Sequence, residues 1–184
     1  MKRIFALASL LCVVISPAFA ESGEGLYVGV DTGVVMLTDA GNFPNMPAAG
    51  LIGGYQFSQH YGVEVENFAS YDALSVAGTG IYDYKQNIFT AAFMATYPLS
   101  KSFGLFGKLG LDSISTSRTL NAPSGPTTNS AITSNLVYGI GIQYYITSHW
   151  GIRGQYEYLG KSKLDSSAAG ADTTRAAWGV FYNF

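Results

Sequence analysis

The sequence predicts an all-β chain, an eight-stranded antiparallel up-and-down transmembrane β-barrel, on three observations. Bulky apolar residues alternate with small or charged ones in one segment after another, the period-two signature of a strand. A nine-residue pattern recurs three times, each copy reading as strand, tight turn, strand. Hydrophobic residues make up 48% of the chain but charged ones only 12%, about half the share usual for a soluble domain. Beyond residue 20, however, no apolar run reaches the roughly 18 residues that a membrane-spanning helix needs. An apolar chain with few charges and no membrane helix is left with a membrane barrel or a soluble all-β domain.

Residues 1–20 read as a cleaved secretory signal peptide. Lys2 and Arg3 open it, an apolar run covers residues 4–15, and Ala18-Phe19-Ala20 supplies the small-x-small cleavage site. Residues 21–184 then form a single barrel domain. The one cysteine, Cys12, leaves with the signal, and Leu11 before it does not fit a lipoprotein signal. The mature chain therefore has no thiol, no disulfide and no thiolate metal site. Losing Lys2 and Arg3 leaves eight basic against twelve acidic residues, a net charge of -4 with no basic cluster, so nucleic acid is a poor partner.

Strands are expected at 25–36, 48–57, 62–71, 84–97, 103–113, 134–146, 151–160 and 174–184. The alternation is clearest in the sixth, where Leu136, Tyr138, Ile140, Ile142, Tyr144 and Ile146 share one face and Val137, Gly139, Gly141, Gln143 and Tyr145 the other. In the fifth, Leu105, Leu109 and Leu111 oppose Lys108 and Asp112; in the eighth, Trp178, Val180 and Tyr182 oppose Arg175 and Asn183. Small and charged residues thus share a face, as the interior of a narrow barrel in lipid requires. The third strand is irregular, because strict alternation turns Phe68 inward and Asn67 outward; a bulge or an early end is expected there.

The repeated pattern is Tyr, any, apolar, Ser/Thr, any, any, aromatic, Gly, apolar, found at 55–63, 97–105 and 144–152. It places Tyr55 and Tyr61, Tyr97 and Phe103, and Tyr144 and Trp150 at one level, as a girdle of interface aromatics. Between these turns, segments 37–47, 72–83, 114–133 and 161–173 are polar and read as long loops. An even strand number puts both termini on the short-turn side, the periplasm in bacterial barrels. Loop positions Thr79, Ser124 and Ala169 should then face outside, and turn positions Gln59, Lys101 and Ser148 inside. Segment 114–133 holds Pro123-Ser124-Gly125-Pro126 and one charge, Arg118. It reads as a mobile surface loop, either solubilising or a contact surface for host molecules, phage or antibody.

The segment from Gly54-Tyr55-Gln56 through Gly62-Val63-Glu64, the turn Tyr97-Pro98-Leu99-Ser100 and the strand from Ile152 to Tyr158 resemble the OmpA-like family of small eight-stranded outer-membrane barrels. The ending Tyr182-Asn183-Phe184 resembles the C-terminal signal of outer-membrane proteins. The resemblance implies an outer-membrane location, lipid as the surrounding partner, and periplasmic chaperones and the barrel-assembly machinery as partners in biogenesis. It is specific for architecture and weak for activity. The chain stops at its last strand, so no peptidoglycan-binding domain is expected. Several family members carry an interior ion-pair network with a fourth-strand lysine and a sixth-strand glutamate; the nearest matches here are Met94 and Gln143.

Alternation turns Asp31, Gln56, Glu64, Glu66, Lys108, Asp112, Gln143, Arg153, Gln155, Glu157 and Arg175 inward. Such groups must satisfy one another, and Arg153 and Lys108 with Glu64 and Glu157 are the expected network. It is either a structural plug or a gated ion path. His60 and His149 both fall in the short turns, far from the outer rim where an enzymatic barrel needs its base, so no enzyme, metal or cofactor is expected. The leading reading is a non-enzymatic outer-membrane protein with a structural or surface role, as adhesin or antigen. A narrow low-conductance channel is second, and a soluble lipocalin-type barrel third.

Overall fold

The computed structural model describes residues 24–38, 45–76, 80–122, 125–163 and 170–184. The expected signal peptide and the loop positions Thr79, Ser124 and Ala169 lie outside these residues. Among the described residues there are eight strands: β1 (Gly25–Thr38), β2 (Met46–Ser58), β3 (Tyr61–Val76), β4 (Gly80–Pro98), β5 (Phe103–Ala122), β6 (Gly125–Tyr145), β7 (Trp150–Ser162) and β8 (Ala171–Asn183). Each pairs antiparallel with its chain neighbours, and β1 closes on β8 from Tyr27↔Asn183 to Thr38↔Asp172. Closure leaves no open sheet edge in lipid, where an unpaired backbone group has no water to bond.

The threefold repeat has a local cause. The Ser/Thr of each copy turns its hydroxyl back onto the turn: Ser58 Oγ accepts from His60 N at 3.2 Å, Ser100 Oγ from Ser102 N and Phe103 N, and Thr147 Oγ1 from His149 N and Trp150 N. These side-chain bonds replace backbone partners that a tight turn cannot supply. Tyr55, Tyr61, Tyr97, Tyr144 and Trp150 are exposed on the outer surface beside them, and Phe103 is half-buried.

Two expectations need correction. The third strand neither bulges nor ends near residue 67: its ladder with β4 runs unbroken from Tyr61↔Ala95 to Val76↔Gly80. Phe68 does point inward, 1% exposed, because the Arg175 guanidinium lies over its ring at 3.8 Å. Register shifts fall instead between Gln56 and Ser58 and between Tyr158 and Lys161. At the second, Gly160 has φ +77 and a Cβ there would meet Asn135 at 2.4 Å, so both backbone and space select glycine.

Two of the four expected long loops are mostly strand, whereas much of 37–47 and of 161–173 lies outside the described residues. The β5–β6 ladder continues from Ile114↔Thr133 to Ala122↔Gly125, replacing the loop expected at 114–133. The β3–β4 pair likewise extends to Val76↔Gly80, within the segment read as a loop at 72–83. Five threonines and two isoleucines fall in 114–133, and β-branched residues fit a pleated ladder even where the composition is polar. β6 pairs with β7 only from Tyr138↔Tyr158 to Tyr145↔Gly151, and β2 with β3 no higher than Ala48↔Ser70. The four strands β3 to β6 therefore rise above the rest of the barrel.

Candidate functional site

The barrel interior is stacked in three layers. At the short-turn end, Tyr27, Ile52, Met94, Phe106 and Phe181 form an apolar cluster, with Tyr145 packed against it. The rings fit because facing positions lack side chains: a Cβ at Gly54, Gly141 or Gly151 would lie within 2.3 Å of the Tyr27, Phe106 or Phe181 ring. At the opposite end, Val35, Met46, Ala48, Phe68, Tyr84, Ile88, Ile114, Val137 and Leu159 form a second apolar cluster.

Between them lies a charged layer of four carboxylates and three cations. Lys108 Nζ sits 3.0 Å from Glu64, 2.9 Å from Glu66 and 2.5 Å from Glu157. Arg153 forks onto both Glu64 oxygens, with Nη2 at 3.0 Å from Oε1, and reaches Glu66 at 2.5 Å. Arg175 pairs with Asp31 and holds Glu66 at 2.9 Å and Glu157 at 3.1 Å. Gln155 bridges Glu66 and Glu157, and Tyr27 Oη donates to Glu64 at 2.7 Å. All these side chains are buried. Outside water, such charges persist only when each is paired, and every charged group of the layer has an ion-pair partner, while Asp31 Oδ1, Arg153 Nε and Arg175 Nε are buried with no hydrogen-bond partner among the described residues.

The structure thus brings Glu64, Lys108, Arg153 and Glu157 together, but Arg153 engages Glu64 and Glu66, and Lys108 reaches Glu157. Glu66, Asp31 and Arg175 complete the layer and were absent from the expected network. Their signal was present, since alternation already turned all three inward. Their convergence depends on the stagger of the strands. Every charged member except Arg175 comes from an odd-numbered strand, and strand stagger brings alternate strands to one level. Met94 and Gln143 take other work: Met94 Sδ accepts from Tyr27 at 3.2 Å, and Gln143 donates to Tyr145 at 3.4 Å. Asp112 sits apart, accepting from the Asn135 backbone and side chain.

The C-terminal end, the start of β1 and a short turn meet at the other expected sites. Phe184 N donates to Leu26 O, Tyr182 stacks on His149 at 5.6 Å, and Trp150 and Phe184 meet Tyr182 edge-on. His60 stands beside Tyr61, so both histidines lie at the short-turn end.

On the outside, Leu26, Val28, Leu51, Val63, Val65, Phe89, Phe93, Leu109, Leu111, Ile140 and Trp178 are exposed, a continuous apolar wall. A soluble fold would bury these and expose the charges that lie inside here. A family model described as the outer membrane protein beta-barrel domain matches residues 5–184. The chain belongs to that family. This outer-membrane barrel is similar in fold to Ail, the attachment invasion locus protein of Yersinia pestis, in its complex with the heparin analogue sucrose octasulfate: 21% identity, 88% of this chain and 99% of that one, TM-score 0.64. It is similar also to Neisserial surface protein A (14% identity, 89% and 100% covered, TM-score 0.64) and to OprG of Pseudomonas aeruginosa (16%, 90% and 99%, TM-score 0.58). No curated protein sequence matches the chain. Family membership removes support for a soluble lipocalin-type barrel.

Proposed function

We propose that the protein is a non-conducting, non-enzymatic barrel of the bacterial outer membrane, which serves the envelope structurally and holds its long β3–β6 hairpins outside as a contact surface. The observation that carries this reading is the stacking of the interior: the charged layer is sealed by an apolar cluster on each side. An ion crossing would have to shed water against apolar side chains twice and separate paired charges between them. The surface role is supported by the raised hairpins, and by the likeness to Ail, whose complex with a heparin analogue makes a host-surface or phage ligand a reasonable class to test. Tyr182 and Phe184, at the seam where β8 meets β1, serve as the assembly signal read by chaperones and the assembly machinery.

Planar-bilayer recording tests the closed interior. The wild type should show little or no conductance, and Arg153→Ala, which removes the fork on Glu64, should show larger events. Robust, steady conductance in the wild type would sink the plug and favour a channel.

A further inference from the structure

The outer wall is not uniform around its circumference. On β6, β7 and β8, Tyr138, Tyr156 and Trp178 are exposed on the outer wall, with Leu136 and Ile132 exposed beyond Tyr138 on β6, and Tyr138 packs on Tyr158 at 5.1 Å. On β3, β4 and β5, the register sets a different pattern. Outward rows run Tyr71↔Lys85↔Ser117, then Ala69↔Asn87↔Ser115, with Asn67 Nδ2 donating to Asn87 Oδ1 at 3.1 Å. Below them the wall is apolar, with Val65, Phe89 and, on β2, Leu51 exposed. The polar rows therefore sit where headgroups meet acyl chains.

The same place is concave. Ala49 and Ala69, paired across β2 and β3, are too small to fill the wall, and a groove of about 630 Å³ opens over them, flanked by Lys85, Asn87, Ser115 and Ser117. Lys85 forms no ion pair among the described residues; its ammonium lies 5.7 Å from the centre of the Tyr71 ring. The nearest acid along its face, Asp83, is engaged by Tyr71 Oη at 3.1 Å and Asn121 Nδ2 at 2.8 Å. One cation beside a small-residue hollow, with the Asn87 amide and the Ser115 and Ser117 hydroxyls along its β4–β5 side and Pro47, Ala48 and Ala49 along the other, matches one phosphate together with sugar hydroxyls over an apolar floor.

We propose that this groove binds the phosphorylated sugar headgroup of an outer-leaflet glycolipid, the phosphate on Lys85, the sugar against Asn87, Ser115 and Ser117, and an acyl chain along Leu51, Val65 and Phe89. The glycolipid is favoured over a simple phospholipid because a bare phosphate needs only the lysine, whereas the groove presents a row of neutral partners too. The site rests on the outer-membrane reading, with the long hairpins outward.

The test is retention of bis-phosphorylated lipid A by the purified full-length barrel in detergent, measured by native mass spectrometry against dephosphorylated lipid A and phosphatidylglycerol. Heat-modifiable mobility on SDS gels reads the folded barrel separately, so a failure of the membrane-barrel reading shows there and not in lipid preference. Wild type should retain lipid A over both competitors. Lys85→Gln should lose about tenfold in affinity, the scale of one charge-assisted bond, with Lys85→Arg restoring it. Lys101→Gln, in a short turn at the opposite end, should bind as wild type. Equal retention by wild type and Lys85→Gln, or phosphatidylglycerol held as well as lipid A, would overturn the assignment.

Discussion

Lys108 and Leu109 are adjacent in the chain and occupy opposite worlds: Lys108 is 4% exposed within the charged layer, Leu109 57% exposed on the lipid wall. The charged layer and the apolar wall are the two faces of the same strands, separated by one residue of register. The comparison teaches that in this molecule position decides the sign of a charge's effect. Inside, a cation stabilises because acids surround it; outside, the same cation would face hydrocarbon. A soluble barrel inverts this arrangement, so hydrophobicity alone does not describe the chain; its alternation does.

The sharpest way to break the comparison is to remove a cation from the inside. Arg175→Ala strips the partner of Asp31, Glu66 and Glu157 and uncovers the Phe68 ring, and unfolding in urea from lipid vesicles should show a loss of roughly 3–5 kcal/mol. A loss below about 1 kcal/mol, the level of a surface pair, would show that the layer is not the stabilising lattice described. The converse change adds a cation outside: Leu109→Arg should cost about 2–4 kcal/mol in the same assay, the scale for arginine on the lipid face near the bilayer centre. If that substitution were neutral, the wall would not face lipid. The smallest effect sharpens both: Lys161→Ala removes an exposed charge from the end of β7 and should move the unfolding free energy by no more than about 0.5 kcal/mol.

The two faces were legible in the sequence to different degrees. Strand number, antiparallel order and the inward set follow from period-two patterning, because a strand's two faces are fixed by its own residues. The short turns were legible too, since Ser58, Ser100 and Thr147 act on backbone groups only two or three residues away. The outer ends of the strands were not, because a Thr-rich segment such as 114–133 is loop or ladder according to whether a partner strand lies beside it. The membership of the charged layer was half legible. That Glu66 and Arg175 point inward is local information; that they meet at 2.9 Å depends on strand stagger, a property of the closed barrel that no single segment encodes. The irregularity expected at Phe68 failed for a related reason: an inward aromatic looked misplaced only while its partner, 107 residues further along the chain at Arg175, was unseen.

The hydroxyl-braced turns also bear on the order in which this chain can assemble. They let two strands meet across two residues (β2 with β3) or four (β4 with β5, β6 with β7), so these pairs close at little entropic cost. The β1–β8 seam joins Tyr27 to Asn183, 156 positions apart (183 minus 27), about five doublings of loop length and roughly 3 kcal/mol more in closure entropy. That seam is the natural last step, and until it forms the outer edges of β1 and β8 are the two that stay free. Tyr182 and Phe184 lie on the later-made of those edges, so the assembly signal proposed for them would sit on a strand that stays open on one side until the last step.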